Sequence, residues 1–141
     1  MNFLWFLLRG QPPVNFDPWL PVAPDYQQVN VVVEREEATS MLTLTRALLI
    51  MRRSRPALNR GSYRGLESGS QDCFVYLRQF DNQRLLVALN FSEEPQLVKI
   101  PELIEGQLLL STSLNREGPI NLAALMLDGH EGCIIELPDG E

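Results

Sequence analysis

The single histidine of the chain, His130, sits in Asp128-Gly129-His130-Glu131-Gly132. Such a residue could serve as a general base or a metal ligand. Its glycine and acidic neighbours are turn chemistry, however, and place it at an exposed bend between two strands. One histidine and two separated cysteines give no ligand set for zinc. A Ser-His-Asp or Cys-His apparatus would have to run through His130, and no GxSxG elbow accompanies it. Cys73 and Cys133 lie in Asp72-Cys73-Phe74-Val75 and Gly132-Cys133-Ile134-Ile135, without CxxC spacing. A thiol among apolar neighbours behaves as a small hydrophobe, so both read as buried free thiols. Eighteen carboxylates could supply an acid/base pair. Hydrolysis by two carboxylates needs them fixed across one bond, about 5–5.5 Å apart when one is the nucleophile. Here the acids gather in turns and flanks, as in Glu36-Glu37 and Glu93-Glu94, where they are solvated. Asp17, before Pro18-Trp19, is the one acid in an aromatic and proline-rich setting, and a structural role comes first there too. Gly61, Gly65 and Gly69 match no phosphate-cradling pattern. Asn90-Phe91-Ser92 fits the N-glycosylation pattern, by chance in a chain without a secretory signal. Residue types alone therefore single out no catalytic residue, no cofactor site and no metal site.

Composition narrows the partners. A net charge of −6 and a pI near 4.8 argue against nucleic acid, whose binders concentrate Lys and Arg. Basic residues do cluster at Arg46, Arg52, Arg53, Arg55, Arg60 and Arg64, and the simpler reading is the solvated, cation-favouring end of a helix. With 45% hydrophobic and 21% charged residues, a packed core is within reach. Met1 to Leu8 is apolar but too short to span a bilayer, and lacks the n-region and cleavage site of a signal peptide. No membrane association is expected, and free thiols suit a reducing cytoplasm.

The elements that would have to position any site read as follows. Residues 1–16 form an irregular N-terminal segment, left by truncation or a misassigned start. Pro12, Pro13, Pro18, Pro21 and Pro24 impose an extended loop, with Trp19 and Leu20 as anchors onto another surface. Asp25 to Val33 leads into a helix from Thr39 to Arg53, capped by Thr39 or Ser40, with Glu36 and Glu37 near its positive end. Met41, Leu44, Leu48 and Met51, widened by Leu42 and Leu49, form an apolar stripe that needs a partner surface. Pro56 ends this helix. Beyond Gly61 come short strands: Phe74 to Phe80 and Arg84 to Phe91 around an Asp81-Asn82-Gln83 hairpin turn, then Gln96 to Ile100, Leu108 to Thr112 and Cys133 to Leu137. Asn115 to Pro119 reads as a loop. The strand Leu85 to Leu89 is apolar on both faces, as a central strand would be. The fold class is α+β, one helix followed by a small antiparallel β-sandwich, divided as residues 1–16, 17–60 and 61–138.

Pro18-Trp19-Leu20-Pro21-Val22-Ala23-Pro24-Asp25-Tyr26, followed by Asn30, resembles the segment after the last barrel strand in the α-glucosidase and oligo-1,6-glucosidase branch of glycoside hydrolase family 13. Ser40-Met41-Leu42, Arg46-Ala47-Leu48-Leu49 and Arg52-Arg53-Ser54-Arg55-Pro56-Ala57-Leu58 are similar to the final barrel helix and the turn after it. Gly61-Ser62-Tyr63-Arg64, Phe74-Val75-Tyr76-Leu77-Arg78 and Leu86-Val87-Ala88-Leu89-Asn90-Phe91-Ser92 resemble the opening strands of the C-terminal domain. Order and spacing agree from about Asp17 to Leu137. The resemblance implies a parent enzyme with a (β/α)₈ barrel that hydrolyses terminal α-linked glucose by retaining double displacement. Its aspartate nucleophile, glutamate acid/base and second aspartate lie on barrel strands upstream of the matched region. No catalytic residue is thus carried onto this chain, and no turnover is implied for it alone. The segment before Pro18 departs from the family pattern, so Arg9 takes no sugar-contact role.

The α-glucoside would be reached only through a barrel, supplied in the same protein or by a partner chain, as in a split enzyme. Exposed apolar surface on the helix could otherwise drive self-association. The competing expectation is a stand-alone β-sandwich that binds carbohydrate or protein through Trp19, Tyr26 and Tyr63.

Overall fold

The computed structural model describes residues 20–138. The expectations for residues 1–16, Arg9 included, and for Asp17, Pro18 and Trp19 at the start of the matched segment lie outside them. The described residues fall into two compact units that divide between Ala47 and Leu48.

The first unit contains a helix the sequence did not suggest, α1 (Val31–Glu36). Three successive valines argue against helix. The Asn30 cap outweighs them, its Oδ1 accepting from the amides of Val32 and Val33 at 3.0 and 3.1 Å. The long helix α2 (Met41–Ser54) begins as expected at Ser40, whose Oγ accepts from the Thr43 amide at 3.2 Å. The carboxylate at its first turn is that of Glu34, which accepts from the Leu42 amide at 2.9 Å. Pro56 does more than end this helix. It opens another, α3 (Pro56–Arg60), where its missing N–H costs nothing.

The second unit carries the antiparallel β-sandwich. Its larger sheet contains β1 (Ser62–Leu66), β2 (Cys73–Phe80), β3 (Gln83–Asn90), β5 (Glu105–Ser111), β6 (Gly118–Asn121) and β8 (Gly132–Leu137), in the order β1-β2-β3-β8-β5-β6. β4 (Gln96–Val98) and β7 (Leu125–Leu127) pair as the smaller sheet. Val75, Leu77, Leu86, Ala88, Leu108 and Ile135 face Val98, Leu122, Leu125 and Leu127 in one core. Each such side chain contributes roughly 1.5–3 kcal/mol by leaving water.

β3 is buried on both faces as its sequence suggests, Leu85 and Leu86 both being fully covered. α3 lies against β2 and β3. Ala57 is buried there, its amide donating to Gln83 Oε1 at 3.0 Å and its carbonyl accepting from Arg78 Nε at 3.2 Å. Arg55 and Glu136 form an ion pair at the same corner. The Asn115 to Pro119 loop is shorter than expected, because Gly118 already belongs to β6.

Candidate functional site

The densest polar cluster joins two loops at one end of the sandwich. Glu131, which immediately precedes β8, is the one buried carboxylate among the described residues. Its Oε1 accepts from Ser111 Oγ and from Arg116 Nε, the latter at 2.9 Å. Oε2 accepts from Arg116 Nη2 at 2.6 Å and from the Asp128 amide at 2.8 Å. Burial pushes the Glu131 carboxyl up, but the hydrogen bonds from Ser111, Arg116 and the Asp128 amide outweigh it. The carboxyl is held below its ordinary range. Arg116 also donates to the Met126 carbonyl at 2.9 Å, tying β7 to the same centre.

Beside it, Asn90 is stapled between loops. Its Nδ2 donates to the carbonyls of Glu94 and Asp128, both at 2.8 Å, and its Oδ1 accepts from the amide and hydroxyl of Ser92. The apparent glycosylation signal is therefore a buried fastening. Asn90→Ala is expected to cost about 2 kcal/mol, because it orphans two carbonyls and an amide. Asn90→Asp, which keeps only the acceptor, should fall short of full stability too. Urea unfolding of both variants checks this, and unchanged midpoints would show the fastening to be idle.

Sequence candidates fall around this cluster without forming a catalytic arrangement. His130 is an exposed turn residue at φ 57°, as expected, and its amide donates to the Ser92 carbonyl at 2.9 Å. Cys133 is buried, and burial together with Glu131 pushes its thiol up to about 12, against the pull of Arg116. Cys73 is only half-buried, a correction to its reading as a core thiol. Glu93 and Glu94 are exposed, as turn acids should be. Glu131 breaks that rule, and nothing local in the sequence marks it, since Arg116 lies 15 residues away. All four acceptor positions of Glu131 are occupied, so it lacks an open edge for proton transfer to a substrate. Among the described residues no three of His, Cys, Asp and Glu form a group that could hold a metal ion.

Of the aromatic candidates, Tyr26 is half-buried rather than exposed, while Tyr63 is 56% exposed. Tyr63 packs against Tyr76, with ring centroids 5.4 Å apart, and Phe74 against Tyr76 at 5.5 Å. No helix among the described residues is long and apolar enough to cross a membrane.

No family model matches the chain. It is 29% identical over 124 residues to the oligo-1,6-glucosidase of Bacillus cereus, a match covering 86% of this chain and 22% of that protein. It is 32% identical to the human amino acid transporter heavy chain SLC3A1, over 92% of this chain and 22% of that one. Among solved structures, the trehalulose synthase MutB of Pseudomonas mesoacidophila MX-45 superposes with a TM-score of 0.74 at 30% identity, covering 85% of this chain and 22% of the synthase. The chain spans about a fifth of the length of these relatives. Sequence order, sandwich topology and these matches agree, and the chain belongs to the α-amylase superfamily, glycoside hydrolase family 13, as the C-terminal part of its α-glucosidase and oligo-1,6-glucosidase branch.

Proposed function

We propose that this chain is the structural C-terminal domain of an α-glucosidase-type glycoside hydrolase and turns over no α-glucoside by itself. One observation carries the reading. The 14-residue α2 has no buried residue. Leu48, Leu49 and Ile50 on it are 37, 51 and 66% exposed, while the sandwich core is closed. Apolar side chains this exposed on a helix are stabilising only against another surface, and burying each is worth roughly 1.5–3 kcal/mol. A barrel supplies that surface, from the same protein or from a partner chain. Without it the face is consumed by self-association. The cytoplasm is the compartment, in keeping with free Cys73 and Cys133.

The test has two arms. The purified chain should release no glucose from maltose, isomaltose or sucrose, and turnover without a companion chain would sink the reading. In hydrogen exchange of the monomer, α2 amides should exchange at least about a hundredfold faster than those of β2, β3 and β8. Equal protection would mean that the helix needs no partner.

The 32% identity with the transporter heavy chain motivates a second reading. In it the same domain serves as a protein-interaction module that never hydrolyses sugar. Adding a separately purified family 13 barrel that lacks its own C-terminal domain separates the two. Recovered glucosidase activity supports the first reading, and a stable partner complex without hydrolysis supports the second.

A further inference from the structure

We propose that the free edge of β1 docks an extended antiparallel strand of a partner protein, with a carboxylate opposite Arg64 and a β-branched residue opposite Gly65. The ladder of the larger sheet fixes which backbone groups this edge offers. The Phe91 amide donates to the Asp72 carbonyl at 2.9 Å, continuing the register that sets Cys73 opposite Asn90. Along an antiparallel strand, residues alternate between bonding one neighbour and facing the other. Phe74, Tyr76 and Arg78 therefore bond β3, which leaves Val75, Leu77 and Gln79 to bond Leu66, Arg64 and Ser62 of β1. The N–H and C=O of Tyr63 and Gly65 point the other way, off the end of the sheet. β1 has no buried position, and its pairing with β2 runs without a bulge. The opposite edge, β6, is blunted by Pro119, which has no amide to give. An open edge with unspent donors and acceptors is what strand addition uses.

Side chains on the two faces of β1 select the occupant. On the outer face Tyr63 packs on Tyr76, and Phe74 packs there too. Gly65, opposite Tyr76, adds no side chain, and a Cβ there would meet only the Tyr63 side chain. A residue of the added strand opposite Gly65 would rest on the Tyr63 ring, and aromatic with β-branched is a favourable cross-strand pair. On the other face Arg64 lies 3.7 Å from Glu102, and both are largely exposed. So loose a surface pair is readily exchanged. The Arg64 backbone faces β2, so the residue opposite it on the free side takes the non-hydrogen-bonded position, where antiparallel side chains lie closest. A carboxylate fits there. A second copy of β1 does not, because a twofold pairing of Tyr63 with Gly65 sets Arg64 directly against Arg64. Like charges so placed are destabilising. Arg64 thus opposes self-pairing and selects an acidic strand in the same position. The site draws on no residue of α2.

The test titrates the 141-residue chain with two end-blocked peptides, TTVEVT and TTVKVT, which differ only at the residue opposite Arg64. Amide exchange is read by ¹H–¹⁵N spectra. Without peptide, the amides of Tyr63 and Gly65 should exchange faster than those of Arg64 and Leu66, which bond β2. Saturation with TTVEVT should slow Tyr63 and Gly65 by about tenfold or more. TTVKVT should bind roughly threefold more weakly or worse. Arg64→Glu should invert the preference, and Arg64→Gln, the milder change should the first unfold the chain, should erase it. The proposal is overturned if neither peptide protects Tyr63 and Gly65, if the two bind equally, or if Arg64→Glu leaves their order unchanged. Shifts at Tyr63, Phe74 and Tyr76 without amide protection would overturn it in favour of simple apolar adsorption. Protection that rises with chain concentration in the absence of peptide would make a second copy the occupant, and would overturn it as well.

Discussion

Gly129→Ala is expected to destabilise the chain by about 4 kcal/mol, its added methyl group making the shortest clash of any described glycine. A Cβ at this position would lie 1.9 Å from the Glu93 carbonyl oxygen and 2.6 Å from its carbon, so a backbone must move. Neither backbone is free to do so. The His130 amide donates to the Ser92 carbonyl, Asn90 holds the carbonyls of Glu94 and Asp128 together, and the Asn90 amide donates to the Glu131 carbonyl. Parting the two loops breaks two or three of these bonds at about 1 kcal/mol each, on top of roughly 1–3 kcal/mol for overpacking. In a domain of this size the melting temperature should fall by about 16 °C or more. Gly65→Ala is the matched comparison. Its Cβ would meet only the Tyr63 side chain, the hydroxyl at 3.3 Å, and an exposed side chain can give way. That variant should stay within about 1 kcal/mol of the parent. Equal melting temperatures for the two variants would show that the loops at Glu93 and Gly129 are not held together as described.

How far the fold is legible in the sequence depends on which force shapes each element. β2 and β3 are legible because one buried face imposes alternation on Val75 and Leu77, and two buried faces leave Leu85 to Leu89 continuously apolar. The turn between them shows in Asp81-Asn82, where Asp81 takes φ 49°. β1 and β6 leave no such trace. They are edge strands of five and four residues, carry glycine or proline, and β1 has no buried position. α1 is hidden for the opposite reason, since its local propensity points away from the structure that one capping side chain secures. Long-range polar pairs are the least legible of all. Arg55 and Glu136 stand 81 residues apart, and no periodicity relates them. Asn90 shows the same limit, because its residue type invites a reading as a modification site when its four hydrogen bonds are structural. Family membership was legible through an ordered set of short segments, not through any site. The polar cluster at Glu131 belongs to no segment that carries the resemblance.

Removing Arg116 should produce the largest electrostatic effect and reverse a pH dependence. The Glu131 side chain is 1% exposed and its charge is paired with this guanidinium, itself 33% exposed. Arg116→Met strands a carboxylate out of water. The loss should be about 3 kcal/mol near neutral pH, at the low end for a broken buried pair because solvent reaches the arginine side. The sign of the acid response follows from linkage. In the parent, Glu131 is held below its ordinary value of 4.5, so its contribution is complete above that value and is lost as pH falls through the folded-state value. In Arg116→Met, burial is opposed only by Ser111 and the Asp128 amide, and the folded-state carboxyl rises above the unfolded one. Folding then takes up a proton, and this variant gains stability, relative to neutral pH, as the solution is acidified through the raised value. Glu131→Gln in the Arg116→Met background should recover a good part of the loss at neutral pH, because an uncharged amide can accept from the Asp128 amide through its oxygen and donate to Ser111 Oγ through its nitrogen. Urea unfolding from pH 3 to 7 distinguishes the cases. Parallel stability curves for the parent and Arg116→Met would mean that the carboxylate is not held by this arginine, whatever the distances between them. Convergence of the two curves in acid would identify Glu131 as the group whose charge makes the arginine necessary.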